Sequence, residues 1–153
     1  MRTLVQRIER AEVVVGNEVV GRAGAGLLVY VGVALSDTAA DANKLAGKVA
    51  NIRIFEDSDE KLNLSVKDVA GEILAIPNFT LQADARKGRR PSFINAQSGQ
   101  TAEDLFNAFV AALQSEGCPV QTGQFGAEMY IESVAAGPVN IVVDIPPDSG
   151  PGK

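Results

Sequence analysis

Between Ala75 and Phe93 the chain reads AIPNFTLQADARKGRRPSF, and the residues best suited to chemistry fall there. The apolar run Glu72-Ile73-Leu74-Ala75-Ile76 has the make-up of a buried strand and stops at Pro77. A small polar turn, Asn78-Phe79-Thr80, follows, and then a basic knot, Arg86-Lys87-Gly88-Arg89-Arg90-Pro91. A strand ending in polar residues and a cationic loop commonly offers a site to an anionic ligand. Arg86, Lys87, Arg89 and Arg90 read either as phosphate contacts or as a solvated loop, and Gly88 lets the backbone turn tightly. Thr80, Ser92 and Cys118 are nucleophiles by type, but none has an obvious base beside it in sequence. Gly137-Pro138 reads as an ordinary bend between two strands.

The composition narrows the chemistry further. The 153 residues include no histidine, which removes Ser-His-Asp and Cys-His catalysis and histidine-ligated metal. A single cysteine removes internal disulfides and thiolate clusters. A hydrolase built from this chain must use carboxylates, backbone donors or a group on its own substrate. With 14 Lys+Arg against 19 Asp+Glu the net charge is −5, which argues against a general nucleic-acid coat but not against a local basic site. Asp57 and Asp59 lack the glycine and terminal glutamate of an EF-hand loop and read as a solvated hairpin. No apolar run is long enough to span a bilayer, and Met1 to Arg7 lacks the pattern of a signal peptide, so the expectation is a cytoplasmic protein.

The elements that must position these residues can be read in order. Thr3 to Val15 is a long opening strand, turned at Gly16-Asn17 into Glu18–Arg22. Leu27 to Ala34 is apolar on both faces and β-branched, the signature of a central strand. Thr38 with Asp41 is a capping box for a helix reaching Asn51. Ile52–Glu56 and Lys61–Val66 read as a strand pair. Thr101 to Asp104 reads as a second capping box, opening a helix through Ser115 with Leu105, Phe106, Phe109, Val110 and Leu113 as its apolar stripe; Gly117 ends it. Val120–Gly123, Glu128–Val134 and Val139–Asp144 complete about seven strands and two main helices. The fold class is α+β, with a largely antiparallel, barrel-like sheet in one domain over residues 1–145. Residues 146–153, PPDSGPGK, read as a disordered tail.

From about Met1 to Ile145 the chain resembles the D-aminoacyl-tRNA deacylases. The likeness is carried by Met1–Arg7, Asn51–Asp57, Leu81–Phe93 and Thr122–Met129. It implies a homodimer, without cofactor or metal, that hydrolyses the ester joining a D-amino acid, or glycine, to the terminal ribose of tRNA. Two motifs build the family's interface site, Ser-Gln-Phe-Thr-Leu and Gly-Pro-Val-Thr. Here they are Pro77-Asn78-Phe79-Thr80-Leu81 and Gly137-Pro138-Val139-Asn140. The resemblance implies backbone N–H groups of Phe79 and Thr80 as oxyanion donors, with Asn78 supporting and a ribose hydroxyl of tRNA assisting water. It implies a cis Gly137-Pro138 peptide that crosses the dimer as a chiral filter, Phe125 and Met129 on the substrate, and Arg86, Lys87, Arg89 and Arg90 on tRNA phosphates. Pro77, Asn78 and Asn140 depart from the pattern. They leave open a deacylase of altered aminoacyl or chiral preference, or a dimeric tRNA-binding protein that has lost turnover.

Overall fold

The computed structural model describes residues 1–145; the expected tail lies outside the described residues. The architecture is organised on β1 (Arg2–Val15), whose two edges are both used. After the Gly16-Asn17 turn, β2 (Glu18–Ala23) and β3 (Gly26–Gly32) run back along one edge. Residues 11–15 of β1 pair β2 and residues 2–8 pair β3, so β2 and β3 behave as one long return strand interrupted at Gly24-Ala25. At Gly26 a Cβ would lie 1.9 Å from the Glu72 carbonyl oxygen, so only glycine lets the neighbouring strand approach this closely.

The capping box at Thr38 and Asp41 opens α1 (Ala39–Asn51) as the sequence indicates. The chain then forms a small ribbon of β4 (Phe55–Glu56) and β5 (Leu62–Leu64). This ribbon is shorter than the alternation suggests, because Ile52 donates its N–H to the Lys48 carbonyl and closes the helix instead of starting a strand. Asp57 caps its own turn: its carboxylate accepts the N–H groups of Asp59 and Lys61, which hold it below the usual carboxylate range.

β6 (Glu72–Pro77) lies parallel to β3, and α2 (Gly99–Ser115) leads to β7 (Val120–Thr122), parallel to β6. The remaining pairings are antiparallel, and β2 returns to β7, where the Arg22 N–H donates to Gln121 Oε1, to make a nearly closed barrel. Alternation along β3 and β6 divides the core. Leu27, Val29, Val31, Ile73 and Ala75 face both helices, while Leu28, Leu74 and Ile76 join Ile8, Ala11 and Val13 inside the barrel. No helix among the described residues is long and apolar enough to cross a membrane.

Two expectations fail at element boundaries. The second helix begins at Gly99 with Ser98 as N-cap and no side-chain cap bond, so Thr101 lies within the helix. The segment before it is pinned to the sheet edge by Gln97 N–H to the Val33 carbonyl and by an Ala34–Ala96 bridge, so the chain turns helical as soon as it leaves that edge. Gly137-Pro138 is no bend. It sits inside one continuous strand, β8 (Tyr130–Asp144), antiparallel to β1 from end to end. Irregularities between Gln6 and Arg10 take up the extra residues opposite it, and that is why the dipeptide does not break the strand.

Candidate functional site

Pro77 closes β6 at no cost in pairing. The Asn78 N–H donates to the Val31 carbonyl and Ala75 accepts from the Gly123 N–H. The alternation therefore aims position 77 towards β7, which has already ended at Thr122. Beyond it Phe79–Gln82 is a single 3₁₀ turn with Asn78 as its N-cap. Asn78 Oδ1 accepts the Thr80 N–H at 3.1 Å and also the Thr80 hydroxyl. Asparagine is short enough to fold back in this way, the local geometry that makes it a preferred cap. Of the two N–H groups that the resemblance implies as donors, Thr80's is therefore engaged. The Phe79 N–H has no acceptor among the described residues.

Asn78 and Phe79 border a cleft of about 150 Å³ completed by Val31, Val33, Ala102, Phe106 and Phe125. Phe106 and Phe125 meet at 6.4 Å between ring centres and make its apolar wall. Ser98 and Gly99 also line it, so the start of α2, with its unsatisfied N–H groups and partial positive charge, faces the same space. The cleft thus combines an apolar seat for a ring or aliphatic group with bordering residues whose backbone N–H groups are unengaged, a type of donor suited to developing negative charge. Met129 is not on this wall; it is half-buried against the barrel interior, over Gly123.

The basic knot is a loop closed at its neck, where Asp84 and Ser92 exchange backbone hydrogen bonds of 2.8 Å each way. Arg86 folds back onto Asp84 through Nε at 2.9 Å and Nη2 at 2.7 Å, which drives the carboxyl far below its ordinary range. Lys87, Arg89 and Arg90 remain exposed and unpaired among the described residues.

Gly137 and Pro138 do not line the Phe79 cleft of the same chain. They are exposed on β8, and their peptide bond is cis. Arg7, which the sequence reading passed over, holds this segment. Its Nε donates to the Ala136 carbonyl at 3.1 Å and its Nη1 to the Ile54 carbonyl at 2.9 Å, with Glu56 at 3.9 Å. Gln6 Nε2 donates to Asn140 Oδ1 at 2.9 Å, so Asn140 has a partner on the neighbouring strand. A cation within an alternating strand was the available signal for Arg7, but its partners are carbonyls that a sequence does not label.

The chain is similar over nearly its whole length to known proteins. A family model described as D-Tyr-tRNA(Tyr) deacylase matches residues 4–144. Curated D-aminoacyl-tRNA deacylases of Dehalococcoides mccartyi (strain CBDB1) and Desulfitobacterium hafniense (strain Y51) are each 51% identical over 94% of this chain, covering 94% and 97% of their own lengths. A solved structure described as c-Myc DNA Unwinding Element Binding Protein superposes with a TM-score of 0.89 at 36% identity, covering 95% of this chain and 99% of that one. Another, described as a probable eukaryotic D-amino acid tRNA deacylase, shares the fold with a TM-score of 0.80 at 19% identity, over 94% and 98% of the two chains. With a family model matched from strand β1 to the end of β8 and relatives at half identity over nearly the whole length, this chain belongs to the D-Tyr-tRNA(Tyr) deacylase family.

Proposed function

We propose that the protein hydrolyses the ester of D-aminoacyl-tRNA, and of glycyl-tRNA, releasing free amino acid and tRNA as a proofreading step in translation. The observation that carries the reading is Phe79, a residue with an unengaged N–H that borders an apolar cleft, in a chain matched throughout by deacylases. Attack of water on the ester carbonyl turns its oxygen into an oxyanion, and a fixed backbone donor lowers that barrier. With no histidine in the chain, the neighbouring ribose hydroxyl of the substrate assists the attack, taking the proton of the water while passing its own to the departing ribose oxygen. The Thr80 hydroxyl is a poor nucleophile, because its partner is an amide oxygen that does not accept a proton at neutral pH. In this reading the Thr80 N–H becomes a second donor when Asn78 releases it.

The chiral filter is assigned to Gly137 and Pro138 acting across a homodimer. Two observations support it. The dipeptide does not border the cleft of its own chain, and β8 pairs only β1 among the described residues, leaving its outer edge for a second copy. Lys87, Arg89 and Arg90 then meet tRNA phosphates.

The test is deacylation of matched D-tyrosyl-, L-tyrosyl- and glycyl-tRNA by the purified protein, with substrate-only controls. Hydrolysis of the D and glycyl forms with the L form spared is the expected result. Hydrolysis of the L form as well would mean that the filter is open in this chain. Folded dimer inert towards all three would overturn the reading in favour of a tRNA-binding protein without turnover.

A further inference from the structure

Beside the cleft, the surface carries apolar area that the reaction above does not use. Phe79 is 57% exposed, Phe93 38% and Ile94 77%. The two rings meet at 5.2 Å between centres, tilted by 60°, and so form one aromatic ledge. Phe93 directly follows Ser92, the neck of the basic loop. The ledge therefore joins two things: Phe79, which borders the cleft, and a closed loop whose Lys87, Arg89 and Arg90 are unpaired among the described residues. In a chain of net charge −5, three free cations beside exposed rings are a local exception.

We propose that the Phe79–Phe93 ledge is a stacking platform for the unpaired nucleotides just before the terminal adenosine of a tRNA acceptor end, with Lys87, Arg89 and Arg90 on their phosphates. This rests on the aminoacyl-tRNA reading of the cleft. Charge and aromaticity together select the occupant. Single-stranded nucleic acid presents a π-face and a phosphate at each nucleotide, and exposed rings beside cations match both. An apolar protein partner would gain nothing from the three cations, and a duplex does not offer its base faces to a ring. The ledge gives the enzyme a hold on the strand that is separate from its hold on the amino acid.

Two measurements test this together. In the first, a non-hydrolysable 3′-amide analogue of D-tyrosyl-tRNA carries 2-aminopurine at the penultimate nucleotide. Binding quenches its fluorescence with the wild type and with Phe93→Tyr, whereas Phe93→Leu, which keeps apolar bulk without a ring, loses the quench and about 10-fold in affinity. In the second, kcat/KM is compared between D-tyrosyl-tRNA and D-tyrosyl-adenosine. The wild type prefers the full acceptor end, and Phe93→Leu loses most of that preference. A wild-type complex without quench, or a Phe93→Leu complex quenched like the wild type, overturns the platform. So does a Phe93→Leu protein that dissociates in sedimentation, since the ledge is then a subunit contact. A wild type that hydrolyses both substrates with no preference overturns the platform alone, while one inert towards both overturns the hydrolase reading first.

Discussion

At the scale of single residues, the site turns on which N–H groups are free. Asn78 occupies the Thr80 N–H and hydroxyl and leaves the Phe79 N–H without an acceptor among the described residues. Two substitutions at position 79 separate the donor from the ring. Phe79→Ala removes the ring and keeps the N–H. Phe79→Pro removes both, and it suits the backbone: position 79 is the first residue of the turn, and Asn78 before it is extended at φ −146° and ψ 93°. Relative to Phe79→Ala, Phe79→Pro should lose about 10²–10³ in single-turnover rate, the usual effect of deleting an oxyanion donor. Equal rates for the two variants would show that this N–H does not face the reacting carbonyl. Thr80→Ala should retain much of its activity, since its hydroxyl only reinforces the cap. A loss of four orders of magnitude there would make that hydroxyl the nucleophile.

At the scale of elements, the Thr38–Asp41 box shows what local sequence controls. Asp41 accepts from the Thr38 hydroxyl and N–H, which hold its carboxyl below the usual range. The contribution of a depressed carboxyl is present above its unfolded-state pKa and fades as pH falls through the folded one. Thr38→Ala should therefore cost about 1 kcal/mol near neutrality and lower Tm by about 2–4 °C. In thermal melts that penalty should shrink on acidification below the ordinary carboxylate range; a penalty independent of pH would assign it to the hydroxyl alone. The box was legible because cap, spacing and helix all lie within four residues. The central position of β3 was legible for a similar reason, since a β-branched run that is apolar on both faces must be covered on both. The start of α2, the continuity of β8 through Gly137-Pro138 and the role of Arg7 were not. Each is decided by residues far away in the chain, such as Val33 holding Gln97 or Ala136 accepting from Arg7. The basic loop was found by composition, but its closure by Asp84 and the loss of Arg86 to that aspartate were not visible. That detail sharpens a prediction. Charge reversal at Arg89 and Arg90 should weaken tRNA binding and lower the slope of log K against log salt by about 1–2 per pair of lost phosphate contacts, whereas Arg86→Glu should change it less. An unchanged slope for the double variant would return the loop to a solvated surface.

At the scale of the whole molecule, the two motifs lie on different parts of one chain, with the Phe79 cleft lacking any residue of β8. If function requires both, two chains must supply them. Complementation between two inactive variants tests this. Phe79→Pro damages the cleft. Gly137→Ala damages the other motif, which in the proposed dimer seats the substrate's amino group as well as selecting its hand, because φ there is +127° and a Cβ would lie 2.8 Å from the Val139 nitrogen and 3.1 Å from Arg7 Nη2. In a two-fold dimer of one copy each, one composite site carries both lesions and the other carries neither. Random co-refolding makes half the dimers mixed, so the mixture should recover about a quarter of wild-type activity from two inactive parents. Should each site be complete within one chain, no mixture could exceed its parents, because every site would carry one lesion or the other. Sedimentation of the mixture confirms that dimers have formed, so a lack of recovery from dimeric protein would place the whole site within a single chain. Recovery would mean that turnover depends on protein concentration, with activity lost whenever the dimer dissociates.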